Sequence, residues 1–143
     1  MEMAEFDVLA APVQRELALN DAEWELGLVF GVTATAEELA DVERAMGVVL
    51  PDKYKAFMIR HGGGILGVAE LFTVDELRTL NDKEFPDRTF VAVSAVGTGD
   101  HWGFPVTGGR CHDQVWFHFH DDGDDEVVAE DFLEFVARQG LRV

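Results

Sequence analysis

The stretch MGVVLPDKYKAF, residues 46–57, reads as the end of one helix and the start of another. Gly47 closes an apolar-periodic run and fits the left-handed position that terminates a helix. Pro51 suits the first turn of the next helix, where its missing N–H costs nothing. Tyr54 and Phe57 lie three residues apart and therefore share a face, and Met58 and Ile59 extend it. Upstream, Thr35-Ala36-Glu37-Glu38 is a capping box: the Thr35 hydroxyl can accept from the third amide while Glu38 reaches back to the cap. Leu39, Val42, Ala45 and Met46 then supply one apolar face. Downstream, His61-Gly62-Gly63-Gly64 ends the second helix abruptly.

Beyond those glycines the period changes. Ile65 to Phe72 reads as a strand. Thr73-Val74-Asp75-Glu76 is a second capping box, opening a short helix through about Leu80. Thr89 to Val96 carries Phe90, Val91, Val93 and Val96 and reads as a strand broken by Gly97-Thr98-Gly99-Asp100. Trp102 to Val106 and Val115 to His120 read as two more strands joined across Thr107-Gly108-Gly109. Val127 and Val128 give a last short strand, and Phe132, Leu133, Phe135 and Val136 the face of a closing helix ending near Gly140. Helices, then strands, then one helix is an α+β order. It predicts a single domain with a mostly antiparallel sheet and helices packed on one side. Residues 1–31 read as a helical leader to a domain at 32–143. In the leader Phe6, Leu9, Val13 and Leu17, then Trp24 and Leu28, have helical spacing, with breaks expected at Pro12 and Asn20-Asp21, and Trp24 as a packing residue.

This ordered set of signatures resembles the SUKH superfamily, whose members include a cell-wall regulator of yeasts and many immunity proteins of bacterial toxin systems. The resemblance runs from about Val32 to Arg138. Ala36-Glu37-Glu38-Leu39 with Val42-Glu43 is similar to the family's opening helix. Residues 46–57 match its G-x-x-LP-x-x-Y-x-x-F core. His61-Gly62-Gly63 stands where the family usually shows Asn-Gly-Gly. Gly97-Thr98-Gly99-Asp100 matches its G-x-G-D after a strand, and Asp121-Asp122 followed by Val127 to Phe135 is like its final strand and helix. The resemblance implies a non-catalytic protein that binds and neutralises a cognate toxin, or a regulatory scaffold with an endogenous partner.

The chain has 143 residues and 48% hydrophobic composition, including 11 Phe. That is enough to bury a core without staples. Its single cysteine, Cys111, permits no intrachain disulfide and reads as a small apolar filler; with no leader or spanning segment recognised, a soluble protein of the reducing cytoplasm is expected. The formal net charge is −17, from 28 acids and 11 bases. Residues 1–50 hold 11 acids against 2 bases and residues 111–143 hold 9 against 2, whereas residues 51–110 are nearly balanced. Such a chain repels nucleic acid and anionic membranes and draws a basic protein partner. A monomer or weak dimer is expected.

The segment HFHDDGDDE, residues 118–126, concentrates two histidines and five acids, four aspartates with Glu126 closing it. Strand alternation sends Trp116, His118 and His120 to one face and Val115, Phe117 and Phe119 to the core. A His-x-His pair could supply two ligands to zinc, with His112 or His101 as a third, so a metal-binding protein or metalloenzyme is a rival reading. The acids are adjacent rather than alternating and do not form a calcium loop; Asp122-Gly123 suits a hairpin turn. The favoured reading is a toxin-docking surface, with Trp102, Trp116, His118 and His120 as anchors and Asp100, Asp121, Asp122, Asp124, Asp125 and Glu126 as charge partners. No cofactor and no catalytic residue is assigned. Ser94, the one serine, lacks a nucleophile elbow, and Cys111 and His112 are adjacent on a strand and point apart.

Overall fold

The structure is a computed structural model and describes residues 1–20, 32–66, 69–121 and 123–142. Helix α1 spans Met3–Asn20, α2 Ala36–Met46, α3 Asp52–Arg60 and α4 Val74–Glu84. Strands β1 (Gly64–Leu66), β2 (Ala69–Leu71), β3 (Phe90–Ala95), β4 (His101–Thr107), β5 (Arg110–Cys111), β6 (Val115–His118) and β7 (Glu126–Ala129) precede the closing helix α5, Phe132–Phe135. That helix widens into a π-helical turn over Val136–Leu141. The sheet runs β1-β2-β3-β4-β6-β7, every neighbour antiparallel, and β5 folds back on the end of β4. The α+β class expected from the order of elements is therefore the observed one.

The junction at residues 46–57 forms as its residues dictate. Thr35 accepts from the Glu38 amide and Glu38 returns a bond to the Thr35 amide. Gly47 takes φ 69° and bonds back to the Glu43 carbonyl. Glu43, half-buried, then accepts from the Leu50 N–H at 2.9 Å and pairs with Lys55 at 3.3 Å. That carboxylate ties the two helices across the turn. Thr73 and Glu76 form the second capping box, on α4.

Tyr54 and Phe57 are buried and meet the sheet and the closing helix edge-on: Tyr54 lies 5.6 Å from Phe104 and 4.9 Å from Phe132, and Phe57 5.2 Å from Phe132. Helix α1 enters the same core. Phe6 and Ala10 are fully buried, with Phe6 5.6 Å from Phe57. Asp7 fastens the helix to the end of α3 through Arg60, at 2.8 Å, and His61, at 3.2 Å; burial holds the His61 imidazole below its ordinary pKa. So the N-terminal helix shares one core with the remainder of the chain.

Four local expectations change. Ile59, expected on the apolar face of α3 with Met58, is 45% exposed. Helix α1 continues through Pro12 instead of breaking there. The carbonyl that loses its partner belongs to Val8, which is 72% exposed, so water can satisfy it. The segment expected as one strand from Ile65 to Phe72 is a hairpin, β1 and β2, because both pieces pair with each other. The strand expected to reach His120 ends at His118. Trp24, Leu28 and the expected break after Asn20 lie outside the described residues.

Candidate functional site

Register across β2, β3, β4 and β6 sorts side chains onto two faces. Val91, Trp102, Phe104, Val115 and Phe117 face the helices; Phe90, Gly103, His101, Trp116 and His118 lie on the other face. The alternation expected for residues 115–118 therefore holds, since strand side chains alternate with period two. Trp102, one of the expected anchors, is not at the surface. It is 6% exposed and packs 5.4 Å from Phe135 and 5.8 Å from Phe117, within the core. Trp116 is half-buried beside the histidines, opposite Gly103 and Val127.

His101 and His118 are direct cross-strand partners. Phe85, which caps the end of α4, meets both edge-on, at 5.6 and 5.3 Å, and Phe90 lies 5.1 Å from His118. The outer face thus carries an aromatic cluster of two histidines and two phenylalanines. Sequence reasoning missed Phe85 because it follows a helix, and only packing brings that helix end over the sheet.

Each histidine of residues 118–126 is held by its own carboxylate. Asp125 Oδ2 lies 2.9 Å from His118 Nδ1, while Asp125 Oδ1 accepts from the Phe119 N–H at 3.3 Å. Asp100 Oδ1 accepts from the His120 N–H at 2.9 Å and lies 2.6 Å from its Nδ1; Oδ2 accepts from Thr98 Oγ1 at 2.9 Å. These bonds hold the Asp100 carboxyl down at about 2, the His120 amide first among the causes. The Asp100 contact in turn raises the His120 imidazole above its ordinary value. Gly99, at φ 95°, lets the 97–100 turn close on the His120 ring; a Cβ there would sit 3.3 Å from it. Asp121, Asp124 and Glu126 are exposed beyond this frame, Asp121 at 3.6 Å from His120 Nε2. Asp122 lies outside the described residues.

The sign of the pH effect follows. A raised imidazole stabilises the fold below its unfolded value near 6.5 and loses that contribution as pH rises through the folded value; a depressed carboxyl contributes above 3.8 and loses it as pH falls through about 2. The Asp100–His120 clamp is therefore strongest from roughly pH 4 to 6.5. An NMR titration is expected to place the His120 midpoint above that of a free imidazole, and Asp100→Asn to bring it down. A wild-type midpoint at or below the free value contradicts the clamp.

As ligands, the histidines are divided: His118 turns to Asp125 and His120 to Asp100, each through Nδ1. Among the described residues no group of three or more His, Cys, Asp or Glu is placed to hold a metal ion. His112 is elsewhere, 2.8 Å from Thr107 Oγ1. Cys111 is buried and its thiol pushed up to about 12 by desolvation, the behaviour of a core filler. No helix among the described residues is long and apolar enough to cross a membrane.

The sheet is thus antiparallel and backed by helices on one face, with an acidic turn and a histidine-aromatic strip on the other. The model of the SMI1/KNR4 family (SUKH-1) matches residues 33–138, and the chain belongs to this family. Proteins of the family are typically non-catalytic immunity proteins, and membership is consistent with a role in toxin immunity in general. No curated protein matches the chain.

Proposed function

We propose that this protein is an immunity protein of the cytoplasm that binds a cognate bacterial toxin with a basic surface, such as a nuclease, and neutralises it by stoichiometric occlusion without chemistry of its own. The observation that carries this reading is the pairing of a rigid frame with open charge. Asp100 and Asp125 pin His120 and His118, while Asp121, Asp124 and Glu126 stand exposed on the same end of the sheet. A nuclease must hold phosphates in a basic groove, and a preorganised row of carboxylates can mimic that charge. Long-range attraction steers the encounter, and desolvated aromatic and imidazole groups hold the complex once formed. Trp116, His118 and His120 are the anchors in this reading, with Asp100, Asp121, Asp122, Asp124, Asp125 and Glu126 as the charged surround.

Co-expression with the toxin domain encoded beside its gene is expected to rescue growth and to yield a one-to-one complex on purification. Failure to rescue, with no neighbour-encoded protein co-purifying, overturns the proposal. Charge steering has its own readout. Asp121→Asn, Asp124→Asn and Glu126→Gln together keep the Asp100–His120 and Asp125–His118 hydrogen bonds. They are expected to slow association by about three- to tenfold at low salt and to flatten its salt dependence, with little change in dissociation. An unchanged association rate at low salt removes the steering mechanism.

A further inference from the structure

One cross-strand row on the outer face joins the histidine strip to a separate cleft. Glu70 pairs with Ala95, Ala95 with His101, and His101 with His118, so these four side chains follow one another across β2, β3, β4 and β6. At the Glu70 end the row opens into a cleft of about 580 Å³ between α4 and the sheet, lined by Glu70, Phe72, Asp75, Thr79, Leu80 and Ala95, with Glu76 and Lys83 at its rim. Its floor is apolar: Phe72 is buried, and Leu80 and Ala95 are half-buried. Two of its carboxylates are not engaged by the cations nearby. Glu76 is engaged by the Thr73 amide in the capping box, and Lys83, which also lines the cleft, pairs with Glu84 at 3.9 Å. Glu70 and Asp75 are exposed and make no ion pair among the described residues.

We infer that this cleft receives an arginine side chain from the basic partner, its methylene stem lying on Phe72, Leu80 and Ala95 and its guanidinium reaching Glu70 and Asp75. The inference rests on the proposed toxin-binding role and adds to it a second contact, at the far end of the row from the acidic turn. An arginine suits the cleft better than an apolar side chain, because an apolar group would strip water from two unpaired carboxylates and return nothing to them. It suits it better than an anion for the same electrostatic reason. Long cationic side chains characteristically lay their stems along apolar surface while the charged head stays at a polar rim, and a planar guanidinium can donate to two carboxylates at once. The neighbouring clefts differ. Between α2 and α4 the carboxylates Asp41 and Asp82 are already matched by Arg44, Arg78 and Arg88, so that groove has its cations built in.

The test separates the cleft from the broader reading. Acetyl-Gly-Arg-Gly-amide and its citrulline analogue, equal in shape but uncharged, are titrated into the full-length protein at low salt while backbone amide shifts are followed. The arginine peptide is expected to bind in the millimolar range and to shift Glu70, Thr79, Leu80 and Ala95. Citrulline, or the double variant Glu70→Gln with Asp75→Asn, is expected to lose at least about tenfold in affinity, close to 1.4 kcal/mol. The same double variant is expected to weaken the toxin complex by a similar factor. Equal binding of the citrulline peptide overturns the inference, as do shifts confined to residues 118–126, no shifts at about 20 mM peptide, well above a millimolar Kd, or an unaltered toxin affinity. If the peptide seats in the cleft while no toxin binds the protein, it is the immunity reading that fails, and the cleft stands as a guanidinium subsite.

Discussion

Phe57→Ala is expected to lower the unfolding free energy by about 3–5 kcal/mol, the usual range for removing a buried phenyl ring. The site makes the upper part of that range the better expectation. Phe57 is fully buried and touches Phe6 of α1 and Phe132 of α5 at once, at 5.6 and 5.2 Å, with His61 at 5.2 Å. Losing it leaves a void between three helices, none of which can move inward without parting from the other two. Urea unfolding followed by tryptophan fluorescence measures the loss. The void also loosens α1, so hydrogen exchange at Phe6 and Ala10 is expected to rise more than at β3. A loss below about 1.5 kcal/mol, the scale of one or two methylenes, contradicts this account of the core.

The second large effect belongs to a polar residue. Asn81 is fully buried on α4, and its amide pairs with both backbone groups of one strand residue: Nδ2 donates to the Ala92 carbonyl at 2.8 Å, and Oδ1 accepts from the Ala92 N–H at 2.8 Å. The need arises in the sheet. β2 pairs with β3 only at Ala95 and Ser94, with one more bond from the Phe72 N–H to the Val93 carbonyl. A register shift then follows between Ala92 and Ser94 on the β4 side. On the side away from β4, past the end of β2, no strand among the described residues meets Ala92, and the Asn81 side chain takes the place of the missing peptide. Asn81→Ala leaves a buried donor and a buried acceptor without partners and is expected to cost about 2–5 kcal/mol. Asn81→Asp sharpens the test. As a carboxylate it repels the Ala92 carbonyl; once protonated it regains one donor beside one acceptor. Its instability relative to wild type is therefore expected to shrink as pH falls toward 4. A deficit independent of pH rules out the mimicry and points to simple loss of packing.

Glycine at 103 explains why Phe90 can lie across the sheet toward His118. A Cβ there would stand 2.1 Å from the Val91 carbonyl and 2.8 Å from the Phe90 ring. No residue other than glycine leaves space for that crossing, so the outer aromatic cluster depends on a position that by itself reads only as a weak point in a strand.

What was legible in the chain follows from the range of the forces involved. Capping boxes at Thr35 and Thr73, the Gly47 stop and the Tyr54–Phe57 face act within four residues, and each formed where its residues placed it. The same holds for the alternation that sends Trp116 and His118 outward and Val115 and Phe117 inward. The break expected at Pro12 did not occur, because the decisive fact was the solvent exposure of Val8, a property of how α1 lies on the core. Trp102 lies in the core because its cross-strand partner is Phe117, fifteen residues further on, and that register cannot be read from β4 alone.

The sequence by itself determined the capped helices, the α+β order and the excess of negative charge, since propensity, capping and net charge are local or additive. Only the tertiary structure decided which carboxylates are committed and which are open. Asp100 meets His120 across twenty residues, Asp125 meets His118 across seven, and Asp7 reaches Arg60 across fifty-three. A charge count weighs these equally with Asp121 or Glu70. Pairing depends on distance in space, and distance in space is set by the sheet register and by the core that holds the helices against it.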